Sequence, residues 1–161
     1  MKKAILCVGN ELRGDDGVGI EVGKIALEEL KEWKVFFGND MPENEFPNIR
    51  AYAPEILVIV DAIGVIADEN DEFECEFVDL SDDVSYFYSA HNIPACVWIK
   101  YLREFIPKIL FLGIKVDLLT LSEINSNLSK KAKKNAKLAI KKIKEFEEII
   151  KCERVLIQKT N

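Results

Sequence analysis

Histidine is almost absent from this chain: His91 is the only one among 161 residues. Any chemistry that needs an imidazole must therefore use that residue. A structural zinc site built from several histidines or clustered cysteines is excluded. The four cysteines, Cys7, Cys75, Cys96 and Cys152, lie far apart and form no Cys-x-x-Cys pair. They read as reduced thiols of a cytosolic protein rather than a disulfide frame. Long apolar runs are missing too. None approaches the roughly 18–20 residues that a membrane-spanning helix needs, and 31% of the residues are charged, so no membrane partner is expected. The short apolar stretch at residues 4–8 superficially resembles part of a signal peptide, but it ends in Gly9-Asn10 and reads as a first strand. Excess positive charge is also lacking. The net charge of −6 argues against general affinity for nucleic acid. There is no His-Glu-x-x-His helix and no Gly-x-Ser-x-Gly elbow. Cys96 is near His91 in sequence but falls on a helix, and nothing marks it as an activated nucleophile.

What is present is an alternation of strands and helices. Residues 4–8 and the run Ile-Leu-Val-Ile-Val at 56–60 read as buried strands. Residues 18 to about 33 read as a helix, with Val18, Val22, Ile25, Ala26, Leu30 and Trp33 on one face. A short strand is expected at 35–37, then a proline- and asparagine-rich loop over 38–54, with room for a helical turn. Residues 73–80 alternate apolar and polar, as a half-exposed strand does. Residues 81–93 read as loop, Pro94 suits the first turn of a helix to about 105, and 109–114 read as a last core strand. A long helix is expected from 128 to about 150. The eight lysines within 130–144 read as its solvated face, and the acidic segment 68–76 as a solvated edge. Only eleven residues separate Asp61 from Phe73, with no helical periodicity, too few for a comfortable crossover helix. The strand at 73–80 is therefore expected to run antiparallel at an edge. The fold class is α/β: one domain over 1–161, three layers, with a five-stranded, mostly parallel sheet.

The loop Gly9-Asn10-Glu11-Leu12-Arg13-Gly14-Asp15-Asp16-Gly17-Val18-Gly19 follows the first strand, where α/β proteins often hold phosphates. Gly9 and Gly14 have P-loop spacing, but Asp15-Asp16 stand where Lys and Ser or Thr are required, and two carboxylates repel a phosphate. The dinucleotide pattern fails as well, with Val22 in place of its third glycine. Paired carboxylates do tolerate a cation. Either one alone reads more naturally as a helix cap; two in a row exceed what a cap requires and point to a ligand role for one. Asp61 ends a central strand, at the rim where open α/β sheets bind ligands, although a strand-end Asp commonly just bonds nearby amides. His91 precedes a helix, and a lone histidine is more often structural. Each residue alone is weak evidence. Asp16, Asp61 and His91 each follow a strand-like segment, and two carboxylates with one imidazole make a plausible set for a first-row divalent ion with open positions.

These segments resemble, in order, the hydrogenase maturation endopeptidase family. The opening loop with its double acid is the most specific part. Pro42-Glu43-Asn44, Val58-Ile59-Val60-Asp61-Ala62, Ala90-His91-Asn92-Ile93-Pro94 and Leu112-Gly113-Ile114 resemble its later motifs. The chain departs from the family at Asp40-Met41, where Gly-Thr is usual, and at Lys115-Val116, where Gln-Pro is usual. The resemblance implies a metal-dependent cytoplasmic endopeptidase that removes the C-terminal extension of a nickel–iron hydrogenase large-subunit precursor. It further implies that Asp16, Asp61 and His91 are catalytic residues that engage nickel, the nickel arriving with the precursor. A non-proteolytic nickel-binding assembly chaperone is the alternative, and a flavodoxin-like nucleotide module is a second one that Asp15-Asp16 disfavours.

The lysine-rich helix generates a test of the charge argument. The protein should not bind random duplex DNA tightly at physiological salt, as read by electrophoretic mobility shift; a tight complex would contradict the assignment of those lysines to a solvated face.

Overall fold

The computed structural model describes residues 1–65, 75–78, 95–122 and 124–159. Five strands form one sheet: β1 (Lys3–Val8), β2 (Trp33–Asn39), β3 (Ile56–Val65), β4 (Cys75–Val78) and β5 (Lys108–Asp117). Their order across the sheet is β2-β1-β3-β5-β4. β1 pairs in parallel with β2 and β3, and β3 in parallel with β5. β4 alone runs antiparallel, on β5 at the edge, as its short connection requires. The helices are α1 (Val18–Glu29), α2 (Phe46–Tyr52), α3 (Ala95–Arg103) and α4 (Lys130–Lys159).

The inner strands are buried on both faces, which is why they read as unbroken apolar runs. On one face Ile5, Cys7, Val58, Val60, Leu112 and Ile114 meet α1 and α4 through residues such as Val22, Ala136, Ala139 and Ile143. On the other, Leu6, Leu57, Ile59 and Phe111 meet α2 and α3 through Phe46, Ile49, Trp98 and Leu102. The result is the anticipated three-layer α/β/α arrangement with one antiparallel edge strand. Among the described residues no helix is long and apolar enough to cross a membrane.

Several boundaries differ from the sequence reading. α1 stops at Glu29, and Trp33 opens β2 instead of closing the helix. The helical period extended to Trp33 because that ring packs into the same apolar layer as α1, but from the strand paired at Lys3↔Trp33. The segment 38–54, read as loop with room for a helical turn, contains the seven-residue α2, which buries Phe46 and Ile49 and ends at Ala53 in the left-handed region (φ 52°). β3 does not stop at Val60; it continues to Val65, paired beyond that point with β5. Asp61 broke the apolar run but not the strand. β5 likewise extends to Asp117. Val116, where the resembled family has proline, retains the backbone N–H that a ladder position needs. α4 starts at Lys130 and runs to Lys159, well past residue 150. The flanks of the expected fourth strand (73–74 and 79–80), the loop over 81–93 and Pro94 lie outside the described residues.

The first turn of α1 lies against the ends of β1 and β3. A Cβ at Gly19 would stand 2.1 Å from the Val8 carbonyl oxygen and 2.8 Å from that of Val60. Both neighbours are backbone and cannot swing aside. Gly19→Ala should therefore destabilise the protein by about 2–3 kcal/mol, read from the urea midpoint. An unchanged midpoint would show that the helix does not press on the strands this closely.

Candidate active site

The chain leaves β1 toward β2 on one side, then passes across β1 to enter β3 and continues to β5 on the other. The C-terminal ends of β1 and β3 thus flank a topological switch point, the crevice where open α/β sheets receive ligands. The loop after β1 starts at that switch point, and Asp61 follows Val60, the last residue of β3 paired with β1.

The loop is fixed residue by residue. Gly9 (φ 136°) is the position at which a Cβ would lie 2.0 Å from the carbonyl oxygen of Asp16. The Gly9 N–H donates to the Asn39 carbonyl at 3.0 Å. The Asn10 side chain accepts from the Leu12 N–H at 2.8 Å and donates to Asp40 at 2.6 Å. A single 3-10 turn, Gly14–Gly17, then carries the two acids. It packs on β3.

Asp16 is 3% exposed and its Oδ2 accepts the Asn10 N–H at 2.8 Å. Asp61 is 4% exposed and its Oδ1 accepts the Ala62 N–H at 2.8 Å. It lies one residue beyond the point where the β1–β3 ladder ends, at Cys7↔Val60, while the β3–β5 ladder continues past it. Each carboxylate thus accepts a backbone amide, Asp16 in the turn that packs on β3 and Asp61 within β3 itself. Burying two carboxylates together is costly unless hydrogen bonds and opposite charge offset it. Carboxylate oxygens are a ligand type that divalent cations accept. Among the described residues no group of three His, Cys, Asp or Glu side chains could hold an ion. His91, the third residue expected here, lies outside the described residues.

Asp15 has a different role from its neighbour. Its Oδ1 accepts the Ser129 N–H and its Oδ2 the Ser129 hydroxyl, both at 2.7 Å, and the same hydroxyl accepts the Ala132 N–H at 3.0 Å. The expectation that one of the pair caps the following helix is not met, since α1 starts without a side-chain cap; Asp15 instead holds Ser129, the residue that caps α4. The sequence signal for it is Ser129 directly before Lys130; the partner, 114 positions away, has no local signature. Cys7 contributes no nucleophile to the rim. It is fully buried, packed against Gly23, and burial pushes its thiol well above the ordinary range.

No family model matches the chain. It is 36% identical over 120 residues to the "Hydrogenase 3 maturation protease" of Escherichia coli (strain K12), covering 73% of this chain and 75% of that one. Among solved structures it is similar to an uncharacterized protein from Wolinella succinogenes, at 43% identity and a TM-score of 0.77, covering 93% of this chain and 99% of that one. It is also similar to the endopeptidase HycI from Escherichia coli, at 29% identity and a TM-score of 0.77, covering 91% and 92%.

The burial of Cys7 gives a direct check on the nucleophile assignment. In the native protein at mildly alkaline pH, a thiol reagent should label the exposed Cys152 and leave Cys7 untouched until the chain unfolds. Peptide mass mapping reads the outcome; labelling of both at similar rates would contradict the burial argument.

Proposed function

The chain belongs to the hydrogenase maturation protease family, and we propose that it removes the C-terminal extension of a nickel–iron hydrogenase large-subunit precursor already loaded with nickel. What supports this reading is that Asp16 and Asp61 are both buried, that each accepts a backbone amide, and that they follow the paired strands β1 and β3, Asp16 in the turn after β1 and Asp61 directly after Val60. The names of its relatives favour the proteolytic reading over an assembly chaperone. We read its place of action as the cytoplasm, in keeping with its dispersed cysteines.

In this reading nickel is part of the substrate. Asp16, Asp61 and His91 would engage it, with open positions left on the ion. Bound there, a divalent ion can polarise the scissile carbonyl or favour ionisation of a water. The chain's own contribution is positional. Gly9 and Gly19 let the loop and α1 close onto the strand ends, and the amides of Asn10 and Ala62 orient the carboxylates before the substrate arrives. Such preorganisation lowers the cost of reaching the reactive geometry.

The decisive measurement compares nickel-loaded and nickel-free precursor with the wild-type protein, read by mass. Loaded precursor should be shortened and empty precursor left intact. Equal cleavage of the two would show that nickel is not the signal, and no cleavage of either would favour the chaperone.

A further inference from the structure

We propose that Asp15 is a positioning residue for the reaction: through its bond to Ser129 it fixes the turn that carries Asp16, and so sets where the Asp16 carboxylate stands. The inference rests on the reading of Asp16 as part of the catalytic site.

Three observations carry it. First, Ser129 already caps α4 through its hydroxyl, which accepts the Ala132 N–H at 3.0 Å. A cap of that kind is complete in itself. Adding a carboxylate that is 4% exposed brings a desolvation cost that a simple cap does not need. Both Asp15 oxygens are satisfied by 2.7 Å bonds from the Ser129 N–H and hydroxyl, in the charge-assisted class. The hydroxyl donates to the acid while accepting from the helix, so the chain of bonds is polarised in one direction.

Second, the same segment is tied to the loop at further points. Gly14 N–H donates to the Asn125 carbonyl at 2.5 Å, Asn125 N–H donates to the Leu12 carbonyl at 3.1 Å, and Arg13 and Asn125 form an isolated parallel bridge. The residues leading into α4 therefore frame the loop that follows β1.

Third, the turn between these anchors has few backbone bonds of its own. It is four residues long, begins without a side-chain cap, and includes Gly14 at φ 52°. A 3-10 turn has poor hydrogen-bond geometry and places successive side chains about 120° apart. Asp15 therefore reaches toward α4 while Asp16 reaches back to the Asn10 N–H. Two side-chain anchors in two directions, added to the backbone bonds of Gly14 and Asp16, fix the turn's orientation; with the Asp15 anchor removed, the restraint on where Asp16 stands is weakened.

The test measures kcat and KM for nickel-loaded precursor, well below the melting temperature of each variant, together with nickel affinity by calorimetry with the metal alone. Asp15→Ala should lower kcat on the order of 100-fold, the scale of an ångström-sized misplacement, with KM for the precursor little changed. Nickel affinity should fall about tenfold, as for loss of a group that orients a ligand. Asp15→Asn should recover most of the loss, because its amide can accept from the Ser129 N–H and donate to the hydroxyl. Ser129→Ala, which keeps its backbone donor, should lie between, and it carries the test if Asp15→Ala does not fold. Ile143→Val, in the buried face of α4, destabilises the helix packing and should keep wild-type kcat. Wild-type kcat in Asp15→Ala, or an equal loss in Ile143→Val, would overturn the proposal and leave Asp15 a structural clamp. Asp16→Ala is measured in parallel. If it cleaves normally, the catalytic reading falls and this inference with it; if it is inactive while Asp15→Ala is normal, only the inference falls.

Discussion

The close seating of the first turn of α1 on the ends of β1 and β3 is the contact on which the rest of the molecule depends. It is possible only because Gly19 has no side chain to meet the Val8 and Val60 carbonyls, and because Gly9 yields space to the carbonyl of Asp16. A β-carbon at either place would push the helix away from the sheet. The 3-10 turn between them would move with it, along with both acids it carries. The crevice itself comes from topology, since the chain diverges to opposite sides after β1 and β3. The glycines determine how closely that crevice is lined.

The same economy governs the buried charges. Asp15, Asp16, Asp61, Lys3 and Lys115 are all nearly inaccessible, and each isolated charge of this kind would be strongly unfavourable. Lys3, at the start of β1, shows how the cost is met. Burial alone would pull its pKa down, but hydrogen bonds and charge from Glu147 and Glu32 outweigh that and raise it. Its ammonium also stands 5.3 Å from the centre of the Trp33 ring. Glu147 belongs to α4, as does the Lys130 turn that Ser129 caps. α4 is thus fastened at two poles, to the lower end of β1 through Lys3 and to the loop above it through Asp15. Its alanines, Ala132, Ala136 and Ala139, let it lie close against the sheet in between.

Much of this was legible in the sequence. The unbroken apolar runs of β1 and β3, the helical period beginning at Val18, and the shortness of the segment before Phe73 were enough for three layers and one antiparallel edge. The double acid placed a carboxylate at the first loop, and the end of the apolar run marked Asp61. What was not legible had non-local causes. Trp33 satisfies a helical period while standing on a strand, because a period records which layer a side chain joins and not the backbone that carries it. β3 continues past Asp61 because β5 is there to pair with it, and no local residue announces a partner strand. α2 is only seven residues long and is held by burying Phe46 and Ile49, a tertiary contact that overrides a composition rich in loop formers. The two adjacent acids looked interchangeable because their different partners, Asn10 and Ser129, are six and 114 positions away.

Those different partners explain why the pair is adjacent at all. A ligand carboxylate must be held still, yet bonds that hold it also occupy the lone pairs with which it would bind. Placing an anchor on the neighbouring residue eases the conflict: Asp15 takes structural load with both oxygens, and the backbone transmits that restraint to Asp16, which itself accepts the Asn10 N–H. Asp61 reaches the same end differently, being held by strand pairing and its own following amide. In the proposed reading the site would hold its carboxylates stiffly and supply few strong donors. A site of that kind binds a free ion less tightly than a closed four-ligand site. It gains most when the ion comes with further contacts from the molecule that carries it. If the precursor arrives loaded with metal, as proposed, that difference in affinity between loaded and empty partners is what discrimination would consist of.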